Sequence, residues 1–229
     1  MTSRMKKLAL TMAMSLALPL GQLSAAGEPA ELNADSVEYD MTSGQAVAVG
    51  DVLLKQGNTK VTGAKATYNS KTQEGTVEGS VIAVRDTLRL TCDRIVTTAQ
   101  EKIIASGSVR GVDGDKSFAG EQVEYYPQQN KYVKIPGGGT ISNADGTFSA
   151  SYMEGWLDDE HYVGQGSVHV SSPARRMEAG GDHADYRGKE QGVVVLTGNA
   201  WAVQENNMMK SNKLTLYLDP EGRAKVKDS

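Results

Sequence analysis

Cysteine occurs once in these 229 residues, phenylalanine twice, tryptophan twice and histidine three times. Each scarcity removes a class of protein. A single Cys92 cannot close an internal disulfide, so an exported chain of this kind must be held by its hydrogen-bond ladder and core. As a nucleophile Cys92 would need a neighbouring histidine and a cleft, and the sequence indicates neither. His161, His169 and His183 stand apart with no second His or Cys motif, so no zinc site is composed. His183, between Asp182 and Asp185, reads as a solvated turn. The chain has no apolar stripe at i, i+3, i+4, i+7 beyond residue 26, which excludes amphipathic helices. Cations are in deficit: 24 Lys and Arg against 28 Asp and Glu give a charge of −4. Without the first 26 residues, which carry three basic groups and no acidic one, the charge is −7. Such a surface argues against a nucleic-acid partner.

The remaining local motifs are equally poor in chemistry. DGDK at 113–116 lacks the downstream Glu of a calcium loop and reads as a hairpin turn. IPGGGT has neither a following helix nor a Lys-Ser/Thr for phosphate. The carboxylates of DDEH at 158–161 fit a solvated turn. PARR at 173–176 fits a surface loop before it fits a lipid phosphate. No catalytic residue, metal ligand or cofactor site is assigned.

What the sequence does contain starts with a leader. Arg4, Lys6 and Lys7 precede an apolar run from Leu8 to Leu20, and Ser24-Ala25-Ala26 follows. That order predicts a secretory signal peptide over residues 1–26, cleaved after Ala26. Pro19 and Gly21 stop the run at about thirteen residues, short of the roughly 20 that a membrane-spanning helix needs. Residues 27–229 are then expected to form a single domain.

The dominant signal is internal repetition. GQAVAVGDVLLKQ at 44–56 and GVVVLTGNAWAVQ at 192–204 share one layout, 148 residues apart (192 − 44). The same phrase recurs more loosely around Gly79, Gly107, Gly138 and Gly166, giving a period near thirty. An aromatic precedes or closes most units: Tyr39, Tyr68, Tyr125, Trp156, Tyr186 and Tyr217, with Thr97 the exception. Alternating apolar residues such as Val168/Val170 and Leu214/Leu216/Leu218 have period two. MTSG, VDGDK, NADG and DPEG supply turns. The expected fold is all-β: thirty-residue units, each bent at a glycine, stacked as antiparallel strands in preference to a β-helix.

AELNADSVEYDMTSGQAVAVGDVLLKQGNTKVTGAKATYN and DYRGKEQGVVVLTGNAWAVQENNMMKSNKLTLYLDPEGRAKV resemble the OstA-like (LptA) family of periplasmic lipopolysaccharide-transport proteins. The resemblance spans residues 30–226, with a looser middle and an enlarged segment at 121–160. It implies a β-jellyroll of two facing antiparallel sheets, V-shaped in section, whose apolar interior holds the acyl chains of lipid A. By the family's pattern, contacts fall at Ala30 and Leu32 in the first strand, Val168 and Val170 in SVHV, and Tyr186 in ADYRG. Gly188 stands where the family can carry a bulky apolar residue. Alternation adds Val47, Val49, Val52, Leu54, Val194 and Leu196 as inward partners. The resemblance also implies edge-to-edge joining, with Leu32 and Val37 on one edge strand and Leu214, Leu216 and Leu218 on the other. Implied partners are lipopolysaccharide, an inner-membrane-anchored LptC-like jellyroll, the N-terminal jellyroll of an LptD-like outer-membrane translocon, and further copies of the chain head to tail. Two readings compete: a structural or adhesive repeat protein with a self-filled core, and a membrane-anchored upstream relative. A carbohydrate-active β-helix would need carboxylates aligned on one face, which the repeats do not align.

Overall fold

A computed structural model describes residues 31–99, 102–144, 146–188, 192–218 and 224–227. They form one seventeen-stranded antiparallel sheet. It begins with two short strands, β1 (Glu31–Asn33) and β2 (Ser36–Asp40), laid end to end against β3 (Gln45–Gln56). From there the chain runs as a meander through β4 (Thr59–Asn69), β5 (Glu74–Arg85), β6 (Leu88–Thr97), β7 (Ile103–Asp113) and β8 (Lys116–Tyr126). Each strand pairs with the one before it, because turns of two to five residues leave no room for a crossover. In the middle, each of two successive passes is broken into two pieces. β9 (Tyr132–Ile135) and β10 (Gly139–Asn143) lie on β8; β11 (Gly146–Ala150) and β12 (Tyr152–Trp156) lie on β13 (His161–Ser172). The meander then resumes through β14 (Met177–Arg187), β15 (Val193–Gln204), β16 (Asn207–Leu218) and β17 (Ala224–Lys227). A 3-10 turn, Pro173–Arg175, joins β13 to β14.

The repeating glycines mark a crease across this sheet. Gly50-Asp51, Gly79-Ser80, Gly107-Ser108, Gly166-Ser167 and Gly198-Asn199 all have positive φ, a conformation that glycine adopts without a Cβ clash. At each pair the strand gains one residue over its neighbour. From Val49 to Val52 the chain advances three residues while β4 advances two, from Lys65 to Gly63. Between Thr197 and Ala200 the same offset recurs against Lys213 and Ser211. These are β-bulges, which bend a strand and increase its twist. Aligned on strand after strand, they fold the whole sheet along one line. Residues from both sides of the crease enter one hydrophobic cluster, so the two expected sheets are the two halves of a single folded one.

The crease also changes which face looks inward. On β4 the buried positions pass from Ala66 to Val61, and on β6 from Ile95 to Cys92 and Leu90, switching parity. On the glycine-bearing strands the extra residue cancels that switch. Ala46, Ala48, Val52 and Leu54 are all buried, as are Val194, Leu196, Ala200 and Ala202. The duplication seen in the sequence is reproduced in the fold. β3 pairs with β4 and β15 with β16 in the same register at an offset of 148 residues (193 − 45, 197 − 49, 207 − 59).

Candidate functional site

The interior is the candidate site, and the pairing register assembles it. One inward residue from each of thirteen strands forms an unbroken line across the sheet. In order these are Leu32, Leu54, Val61, Ala83, Leu90, Gly111, Phe118, Ile141, Phe148, Val170, Ala179, Ala202 and Met209. None has a charged or hydrogen-bonding side chain. At about 4.8 Å between strands the line is roughly 58 Å long. Across the crease a second line runs through Ala46, Tyr68, Gly75, Thr97, Ile103, Tyr125, Val133, Gly155, Tyr162, Tyr186, Val194 and Leu216. This line is less uniform: Tyr68, Tyr125, Tyr162 and Tyr186 bring phenols to it, and Thr97 turns its hydroxyl onto the Gly75 carbonyl at 3.5 Å. Among the described residues the buried polar set is Thr59, Thr97 and Ser172, with no charge in it. An interior of this kind offers hydrocarbon a favourable environment, at about 0.8 kcal/mol per buried CH₂, and no directional chemistry.

Exposure varies along the first line. It is sealed from β3 to β7 and again at β14 and β15, and partly exposed at Phe118, Ile141, Phe148 and Val170 between them. Val52, Leu54, Val168, Val194 and Leu196 are buried in the core, and Leu32, Val170 and Tyr186 pack against it. Ala30 lies outside the described residues, as does the leader. Val47 and Val49 are not inward. Val49 is 48% exposed and Val47 lies between the buried Ala46 and Ala48. Carrying plain alternation back from Val52 and Leu54 requires knowing what the Gly50-Asp51 bulge does to parity, and the sequence does not display that.

The edges also differ from expectation at one end. β1 and β2 have only β3 as a partner among the described residues, leaving an open edge that includes Leu32 and Val37, the latter largely exposed. Leu214 and Leu216 are fully buried, and Thr215–Leu218 is covered by β17. Among the described residues the open edge there is therefore β17 together with β16 up to Leu214.

The outer face carries features that the sequence reading missed. Tyr126, Tyr132, Trp156 and His161 are register neighbours on β8, β9, β12 and β13, their ring centroids 5.5, 5.0 and 5.0 Å apart. The signal was an aromatic every few residues at opposite strand ends, which only the pairing turns into a stack. Beside it the Lys102 ammonium donates to Glu124 at 2.8 Å, and Tyr126 and Gln122 also donate to that carboxylate. Burial opposes ionisation of Glu124, but these donors outweigh it and hold the carboxyl below its ordinary value. Tyr132 and Tyr152 both donate to Glu154, and burial together with that carboxylate pushes the Tyr132 phenol well above its ordinary range. A shallow outer groove of about 410 Å³ is lined by His183, Asp185, Arg187, Val193, Val195, Thr197 and Lys213. His169 faces outward, tilted against Trp201 at 6.0 Å. Cys92 is buried beside the crease, and burial pushes its thiol up to about 11. Among the described residues no group of three His, Cys, Asp or Glu side chains is placed to hold a metal ion, and no helix is long and apolar enough to cross a membrane.

Comparison with known proteins bears on the whole sheet. The model of the LptA/(LptD N-terminal domain) LPS transport protein family matches residues 31–67 and 60–221. Among curated proteins none matches the chain. A similar solved structure is that of LptH, the LptA-homologous periplasmic component of the conserved lipopolysaccharide transport device of Pseudomonas aeruginosa. It is 25% identical, with a TM-score of 0.42, over 46% of this chain and 80% of LptH. The family is one of lipopolysaccharide transport and not of enzymes. A creased antiparallel sheet around an uncharged interior, matched over most of its strands by that family's model, belongs to the LptA/LptD N-terminal family of lipopolysaccharide-transport proteins.

Proposed function

We propose that residues 27–229 work as one periplasmic, non-enzymatic carrier, exported by a cleaved signal peptide, that holds the acyl part of lipid A between the two halves of the creased sheet. The observation that carries this reading is the thirteen-residue apolar line, which runs strand by strand from the β1 edge to β16 without a polar side chain. Leu32, Val52, Leu54, Val168, Val170, Tyr186, Val194 and Leu196 are the contacts. Because the attraction is non-directional, lipid can slide along the line instead of being held at one point. The open edges would join the carrier by strand addition to an inner-membrane-anchored LptC-like jellyroll, to the LptD-like translocon jellyroll, or to a second copy of itself.

The test is photo-crosslinking to lipopolysaccharide from positions 32, 54, 170 and 186, with the outward positions 49 and 169 as controls. Adducts from the first set and none from the controls are expected. Equal labelling of both sets, or none from either, would leave the interior as ordinary core and favour the self-filled structural protein.

A further inference from the structure

The apolar line is buried along both arms, from β3 to β7 and at β14 and β15. Apart from its two ends, Leu32 and Met209, it is partly exposed only in the middle, over β8, β10, β11 and β13. Resting on the carrier reading above, we infer that this middle segment is a lateral portal: acyl chains enter the interior sideways over Phe118, Ile141, Phe148 and Val170, rather than only end-on at the sheet edges. Three independent features converge there. The two strand passes that cross this segment are broken at Pro136–Gly138 and at Ser151, whereas β3 to β8 and β13 to β16 run through the crease unbroken. Both phenylalanines of the chain lie in it, each over a glycine of the neighbouring strand. A Cβ on Gly111 would fall 2.1 Å from the Phe118 ring, and one on Gly164 would fall 2.5 Å from that of Phe148. The Phe118 ring therefore lies against the backbone of its own half, whereas the Phe148 ring reaches past the Gly166-Ser167 bulge onto Gly164 at the crease.

Across the crease the same stretch presents Tyr125, Tyr162 and Tyr186, also partly exposed, with Tyr162 and Tyr186 stacked at 5.9 Å. A hydrocarbon floor with phenols on the opposite wall suits an amphiphile entering tail first. The floor continues without a break into Gly111 and Leu90 on one side and Ala179 and Ala202 on the other. That continuity with the sealed arms identifies the occupant as an acyl chain of the cargo and distinguishes it from a protein segment docking on a surface patch.

The order of contact tests this. Photo-crosslinkers at positions 32, 141 and 209 are flash-activated at increasing times after mixing the whole protein with lipopolysaccharide. The portal predicts that position 141 labels first and the two ends later. End-on entry predicts the reverse, and that result overturns the inference while leaving the carrier reading intact. Absence of label at all three positions sinks the carrier reading instead. An Ile141→Lys substitution sets a charge on the portal floor and should slow loading of a fluorescent fatty-acid analogue at least about tenfold, because the tail must pass a group that resists desolvation. Ser142→Lys, on the opposite face of the same strand, should leave loading unchanged. Equal rates in the two variants, each showing native circular dichroism, would also overturn the portal, as would a bound protein segment protecting position 141 from label.

Discussion

Replacing Gly198 by alanine isolates the physical basis of the crease. Gly198 has φ +70, and a Cβ there would lie 2.6 Å from Asp182 Oδ2 and 2.9 Å from Asp182 Cβ. Two costs follow. A left-handed L-residue costs about 1–2 kcal/mol. Asp182 must also swing away, losing the hydrogen bond that Asn199 Nδ2 donates to it at 2.8 Å, worth about 0.5–1.5 kcal/mol. The expected destabilisation is thus about 1.5–3.5 kcal/mol, or a fall in Tm of roughly 3–14 °C for a chain of this size. Two controls separate the terms. Gly114 has φ +60 with nothing within 4 Å of a built Cβ, so Gly114→Ala should show the backbone cost alone. Gly137 has no positive φ and likewise nothing within 4 Å, so Gly137→Ala should lie within about 0.5 kcal/mol of the parent. Urea unfolding followed by circular dichroism should rank the variants Gly137→Ala, Gly114→Ala, Gly198→Ala in rising damage. A Gly198→Ala protein as stable as Gly137→Ala would refute the claim that the bulge pairs shape the sheet.

Leu196→Ala, at a fully buried position, should cost about 2–5 kcal/mol, whereas Val49→Ala on the outer face of β3 should cost well under about 1 kcal/mol; denaturant midpoints check both. Cys92, its thiol pushed up to about 11 by burial, should resist a thiol reagent at pH 8 in the folded protein and react on unfolding. The depressed carboxyl of Glu124 contributes stability above its unfolded value, and that contribution is lost as pH falls through the folded one. Glu124→Gln should therefore flatten the acid limb of a stability–pH curve, and an unchanged limb would count against the Lys102–Glu124 pairing as its source.

The sequence by itself determined the strand class, the thirty-residue period and the positions of the bends. Those depend on local chemistry: β-branched alternation, turn residues, and glycines whose freedom at positive φ is a property of the residue alone. It also placed Val52, Leu54, Val168, Val194 and Leu196 correctly in the interior. It failed at Val47 and Val49, where a bulge resets parity, and at Leu216 and Leu218, whose backbone β17 covers instead of leaving on an edge. Only the tertiary structure decided which faces meet, that Tyr126, Tyr132, Trp156 and His161 become one stack, and that one apolar residue per strand falls into a single line. Register sets those outcomes, and register is a relation between strands tens of residues apart that no single strand carries.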